Sequence, residues 1–278
     1  MKQVWIYILA TALGLAGCDV GDRKAAAAMN KANAEAAKQC EAKLKGLKHV
    51  PIVGTGGKLF LVAERLPSWA INREFRVGDE CGASQISTES EIFYWIGKEI
   101  IPQSVWLARG HSLLELQPDW LGFLVIPGFG LPRACVNDPK LCDSSASRPP
   151  YDYPAELTVR LKKYELDYRL PRGTNSGQVK FDVGHNDMGF AMRGWPTEDG
   201  KARFISCSGF PHPAVRTIKE IEEMDFKNMP LSCQVNSPNF RFKEGGARIN
   251  FGSGALTPEI VTALRATHQY LNDSIIQE

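Results

Sequence analysis

The residues able to do chemistry in this chain are scattered, and their spacing matches no common catalytic pattern. Ser253 lies in Gly252-Ser253-Gly254, but a nucleophile elbow needs Gly-x-Ser-x-Gly so that the strand can turn sharply under the serine. Gly54-Thr55-Gly56-Gly57-Lys58 carries the glycines and lysine of a phosphate cradle, yet Leu59 follows the lysine where a metal-binding hydroxyl belongs, so a turn is expected. The five histidines, His49, His111, His185, His212 and His268, form no close ligand pair and are expected to be structural. His185 with Asp187 reads as a solvated turn, and Cys207 with His212 would make a thiol-imidazole pair only if Cys207 were free. No enzyme activity, metal or cofactor is expected.

A different chemistry is written at the N-terminus. Lys2 precedes an apolar run from Val4 to Leu15, too short to span a bilayer as a stable helix, and small residues lead into Leu15-Ala16-Gly17-Cys18. This segment resembles a bacterial lipoprotein signal, which is cut before its cysteine. The resemblance implies that residues 1–17 are a signal peptide and that Cys18 carries lipid as the mature N-terminus. Two or more acyl chains hold a protein stably at a membrane. It further implies that Asp19, next to the lipidated cysteine, retains the protein at the inner membrane, with its body on the periplasmic face.

An exported chain meets an oxidising compartment, where thiols pair. Six of the seven cysteines then remain, and six allow fifteen pairings. Cys135 and Cys142 enclose Val136-Asn137-Asp138-Pro139-Lys140-Leu141, a short loop with turn formers, and are the easiest pair to join. Cys207 with Cys233 comes next, which leaves Cys40 with Cys81 to fasten the N-terminal segment to the body.

The elements that would carry these groups read as α+β, mainly antiparallel β. Residues 18–48 form the lipidated N-terminus and a stalk: Arg23 to Leu47 is rich in Ala, Lys, Glu and Gln, has no Pro, and has Gly only at Gly46, so a helix with a thin apolar stripe is expected. Residues 49–147 form a β-rich first half, with strands predicted at Leu59 to Val62, Ile92 to Ile96, Val105 to Leu107 and Trp120 to Ile126. The Ser-, Pro- and Tyr-rich stretch from Cys142 to Pro154 reads as a long loop or boundary. Residues 148–278 form an α+β second half. Leu157, Val159 and Leu161 alternate with polar residues as a half-buried strand does. Further strands are predicted at Gln178 to Val183, Gly189 to Trp195, Ala202 to Cys207, Asn239 to Lys243 and Ala247 to Phe251. A helix is predicted from Pro213 to Met224, and a last one with Thr257 as cap, Pro258 at its first position and Ile260, Leu264, Leu271 and Ile275 buried.

Composition excludes some partners. With 33 basic and 31 acidic residues interspersed, the net charge of +2 supplies no field for nucleic acid. Trp95, Trp106, Trp120, Phe93, Tyr94 and Phe123 lie close in sequence and serve a core or an interface. Phe129, between Gly128 and Gly130 ahead of the Cys135 loop, is a candidate anchor for a protein partner. In size and plan the chain resembles immunity lipoproteins that neutralise type VI secretion effectors such as phospholipases. That resemblance implies a membrane-tethered protein binder, and the alternative is a structural lipoprotein of a secretion or conjugation machine.

Overall fold

The computed structural model describes residues 4–70, 75–83, 90–117, 119–129, 158–169, 178–180, 188–196, 202–209, 215–237 and 245–277. Nine strands form one antiparallel sheet. In chain order they are β3 (Glu91–Ile96), β4 (Glu99–Pro102), β5 (Leu121–Phe129), β6 (Thr158–Leu161), β7 (Leu166–Arg169), β9 (Met188–Pro196), β10 (Ala202–Ser208), β12 (Ser232–Ser237) and β13 (Gly245–Gly252). Their order across the sheet is β4-β3-β5-β13-β12-β10-β9-β7-β6. β1 (His49–Pro51), β2 (Leu59–Val62) and β14 (Ile275–Gln277) make a three-stranded antiparallel sheet, and β8 (Gln178–Lys180) pairs with β11 (Val215–Thr217). The α+β class is as the sequence indicates. The large sheet takes strands from both halves of the chain, since β5 of the first half pairs with β13 of the second.

Register explains why one face of this sheet is dry. Phe93 lies opposite Phe123, Val125 opposite Ile249, Ile249 opposite Val235, Cys233 opposite Cys207, Ile205 opposite Phe190, and Phe190 opposite Tyr168. All of these residues are buried. Since side chains alternate at period two, a buried residue directly across from a buried residue makes one continuous apolar face over most of the sheet. Phe226, from the turn after a short helix, closes that face, stacked on Tyr168 at 5.6 Å and edge-on to Phe190 at 5.3 Å.

Four α-helices are described: α1 (Val4–Leu44), α2 (Gln103–Ala108), α3 (Ile218–Glu223) and α4 (Ile260–Asp273). α4 is the amphipathic lid of the core, burying Ile260, Ala263, Leu264, Thr267 and Leu271. Phe93 on β3 meets Tyr270 edge-on at 5.8 Å, while Trp195 on β9 meets His268 at 5.6 Å. β3 and β9 stand five places apart in the sheet, about 24 Å if it were flat. Both reach one turn of a single helix, so the sheet curls around α4.

The boundaries of several elements differ from the sequence reading. Val105 to Leu107 is helical rather than extended, because β4 already ends at Pro102 and buried Glu91 accepts the Ser104 backbone N–H at 2.7 Å, fixing the first turn of α2. The helix expected from Pro213 begins at Ile218: Val215–Thr217 pairs as β11, and the Thr217 side chain caps Glu220 with Glu220 returning the bond. α4 begins at Ile260 without a side-chain cap from Thr257, and Ile275 leaves the helix to pair with Leu61 in β14. β1, β4, β7 and β12 are strands that the sequence pattern does not indicate. β4 follows Gly97 and Lys98, both at positive φ, in a tight hairpin turn. The strand expected at Asn239 to Lys243 lies outside the described residues.

Candidate protein-binding surface

Two of the three expected disulfides are present. Cys40–Cys81 and Cys207–Cys233 form, with Cα atoms 5.6 and 4.0 Å apart. The second joins directly opposed residues of β10 and β12 inside the core, so Cys207 is no free nucleophile. Loop entropy assigns each about 3–4 kcal/mol. Cys135 and Cys142 lie outside the described residues, as do His185, Asp187 and His212. Ser253 is buried and donates its hydroxyl to the Met229 carbonyl, which occupies it structurally. Gly54, Gly56 and Gly57 all take positive φ, so the segment before Lys58 is a turn.

Cys18 and Asp19 fall within α1, which runs unbroken through Leu15-Ala16-Gly17-Cys18. Cys40 and Leu44 bury the C-terminal end of α1, and Asn33 Oδ1 accepts the Val77 N–H at 3.1 Å. The Cys81 anchor needs its neighbour small: a Cβ on Gly82 would stand 2.3 Å from the Pro51 carbonyl oxygen. From residue 23 to 32 the helix is exposed on all sides. Among the described residues no helix is long and apolar enough to cross a membrane. Phe129 is the last residue of β5, its backbone opposite Gly245.

The aromatic cluster divides between two faces. Phe93, Trp95 and Phe123 point into the core, and Trp95 Nε1 donates to Glu259 Oε2 at 3.0 Å at the head of α4. On the opposite face, Ile92 stands across from Leu124 and Tyr94 across from Gly122. Ile92 and Leu124 are both exposed, an apolar pair on the wet side of the sheet. The Tyr94 hydroxyl donates to Gln103 Oε1 at 3.0 Å, which ties this face to α2.

The segment from α2 to β5 adds a second apolar element. Trp106 packs edge-on against Trp120 at 5.8 Å, stacks on His111 at 4.0 Å, and donates Nε1–H to the Ser112 carbonyl at 3.0 Å. Ser112 and Glu115 then form a capping box: Ser112 Oγ accepts from Leu114 N at 3.1 Å, and Glu115 accepts the Ser112 N–H at 2.6 Å. His111 Nδ1 lies 3.1 Å from the same carboxylate. The Ser112 N–H and then His111 hold the Glu115 carboxyl below the usual carboxylate range. What this turn presents is Leu114, 96% exposed, next in the chain to exposed Leu113; Leu107, on α2, is exposed as well. A lone surface leucine is ordinary; what marks this segment is that three, Leu107, Leu113 and Leu114, are exposed close together in the chain around a doubly bonded turn.

The sequence indicated that these aromatics served a core or an interface, but it did not single out Leu107, Leu113 or Leu114. Ser112-Leu113-Leu114-Glu115 does carry the signature of a capping box. No metal-binding group of three or more His, Cys, Asp or Glu occurs among the described residues. The chain matches no protein-family model, no curated protein and no solved structure.

Proposed function

We propose that this chain is a membrane-tethered periplasmic lipoprotein that binds a protein partner, and that the partner is a secreted effector, such as a phospholipase, which the chain neutralises. The observation that carries the binding surface is Leu114, exposed on a turn braced by Ser112, Glu115 and Trp106, with exposed Leu113 next to it in the chain; the exposed Ile92 and Leu124 add a second apolar pair on the outer face of the sheet. Preorganisation lowers the ordering cost of binding, and apolar anchors near the centre of an interface supply much of its energy. The lipid on Cys18 would raise the local concentration of such an inhibitor where a membrane-attacking enzyme works.

The test is protection. Where a phospholipase is encoded beside this gene, cells producing it should survive when they also produce the chain. Leu114→Glu should reduce complex formation at least tenfold, about 1.4 kcal/mol, without lowering the melting temperature. Absence of both complex and protection would remove the reading. The length of α1 favours a second one: its 27 residues from Cys18 to Leu44 reach about 40 Å, suited to spacing a structural subunit of an envelope machine from the bilayer. Association with several membrane proteins, rather than one soluble partner, would select it.

A further inference from the structure

A cleft of about 370 Å³ lies between α4, the β4–α2 edge of the large sheet and the turn after β2. Arg65, from the turn after β2, and Arg109, just past the end of α2, both line it together with Tyr270 of α4. Arg65 lies over the Tyr270 ring at 4.4 Å and donates Nε–H to Ser274 Oγ at 3.2 Å, while the Tyr270 hydroxyl donates to the Arg65 carbonyl at 2.9 Å. These bonds hold the arginine in place at the wall of the cleft. Among the described residues neither arginine forms an ion pair, although Arg160 and Arg193 elsewhere share Asp167.

Two carboxylates, Glu99 and Asp273, line the same cleft without bonding to either arginine. Asp273 Oδ1 accepts instead from Gln269 Nε2 at 2.8 Å. The lining is therefore charged in both senses and neutral in sum, which disfavours a phosphate dianion and favours a ligand carrying one charge of each sign. Val105 and Ala266 add apolar wall, and a cavity of this size suits a small molecule.

We infer that this cleft binds a zwitterion of amino-acid to dipeptide size, with its carboxylate on Arg65 and Arg109 and its ammonium facing Glu99 and Asp273. The site is independent of the protein-binding surface proposed above. L-alanyl-L-leucine titrated into the full chain in detergent should shift the Arg109 Nε–Hε and Val105 methyl NMR signals saturably. The N-acetylated dipeptide and the dipeptide amide should each bind at least tenfold more weakly. Arg109→Gln, at an exposed position, should also weaken binding about tenfold while the melting temperature stays unchanged. The inference is overturned by no saturable shift up to about 10 mM, beyond which binding is not specific. Equal binding of the N-acetyl form, or a wild-type affinity in Arg109→Gln, overturns it as well.

Discussion

His268 is one residue whose role depends on its neighbours alone. Its ring packs against Trp195 at 5.6 Å, and the Arg203 guanidinium lies over that same tryptophan at 4.3 Å. Asn272 Nδ2 stands 3.0 Å from His268 Nε2, an arrangement in which the amide donates to a neutral imidazole. Burial first, and Arg203 second, push the imidazole down to about 4. An unfolded chain takes up this proton near pH 6.5, whereas the native state refuses it until about pH 4. Full stability is present above pH 6.5 and is lost as the pH falls toward 4, by on the order of 2 kcal/mol once partial exposure is allowed for. His268→Gln should flatten that part of the profile relative to wild type, measured as urea midpoints at pH 7 and pH 4.5. A wild-type slope in the variant would show that other groups carry it. Nothing in the sequence separates His268 from the other four histidines, since Trp195 and Arg203 are brought to it from strands far away in the chain.

Among the elements, the turn at Leu113–Glu115 depends least on long-range packing, so its behaviour follows from its own bonds. Ser112→Ala removes the oxygen that accepts from Leu114 N, a loss of about 1 kcal/mol for such a cap. Because Trp106 and Trp120 still anchor the segment, the expected result is local: faster amide exchange at Leu113 to Glu115, weaker partner binding, and a melting temperature within a degree or two of wild type. This capping box is one of the features written locally, like the Thr217–Glu220 box of α3 and the strands at Leu59 to Val62 and Ile92 to Ile96, whose apolar runs the sheet adopts almost unchanged. Elements that depend on partners were not legible. β12 carries Ser232-Cys233-Gln234-Val235, whose alternation is short and weakly apolar, and it is a strand because β10 and β13 flank it. Val105-Trp106-Leu107 has strand-forming residues, yet Glu91 and Trp120 make it a helix. The candidate surface escaped notice for the same reason: exposure of Leu114 is a property of the folded turn, not of its composition.

At the scale of the whole molecule, the curled sheet, α4 and the Cys40–Cys81 bond transmit any pull on α1 directly to the core. Cys40 is buried and joined to Cys81, Cys81 adjoins Gly82, and the Ala83 N–H donates to the Pro51 carbonyl beside the β1–β2–β14 sheet. Such a fastening gains its purpose if the far end of α1 is fixed to a membrane, as the Leu15-Ala16-Gly17-Cys18 box implies. The proposed tether makes a strict prediction, because one acyl chain binds only marginally whereas two or three bind stably. Cells fed labelled palmitate should label the wild-type chain and leave Cys18→Ser unlabelled, and the variant should leave the membrane fraction or persist as a longer, uncleaved chain. Cys40→Ser, which cuts the link between stalk and core, should retain the label and the membrane fraction while lowering the melting temperature. If Cys18→Ser fractionates and labels like wild type, the address written at the N-terminus is not used. The helix through it would then be part of the fold alone, and the periplasmic partner would lose its basis, whereas the zwitterion cleft would stand unchanged.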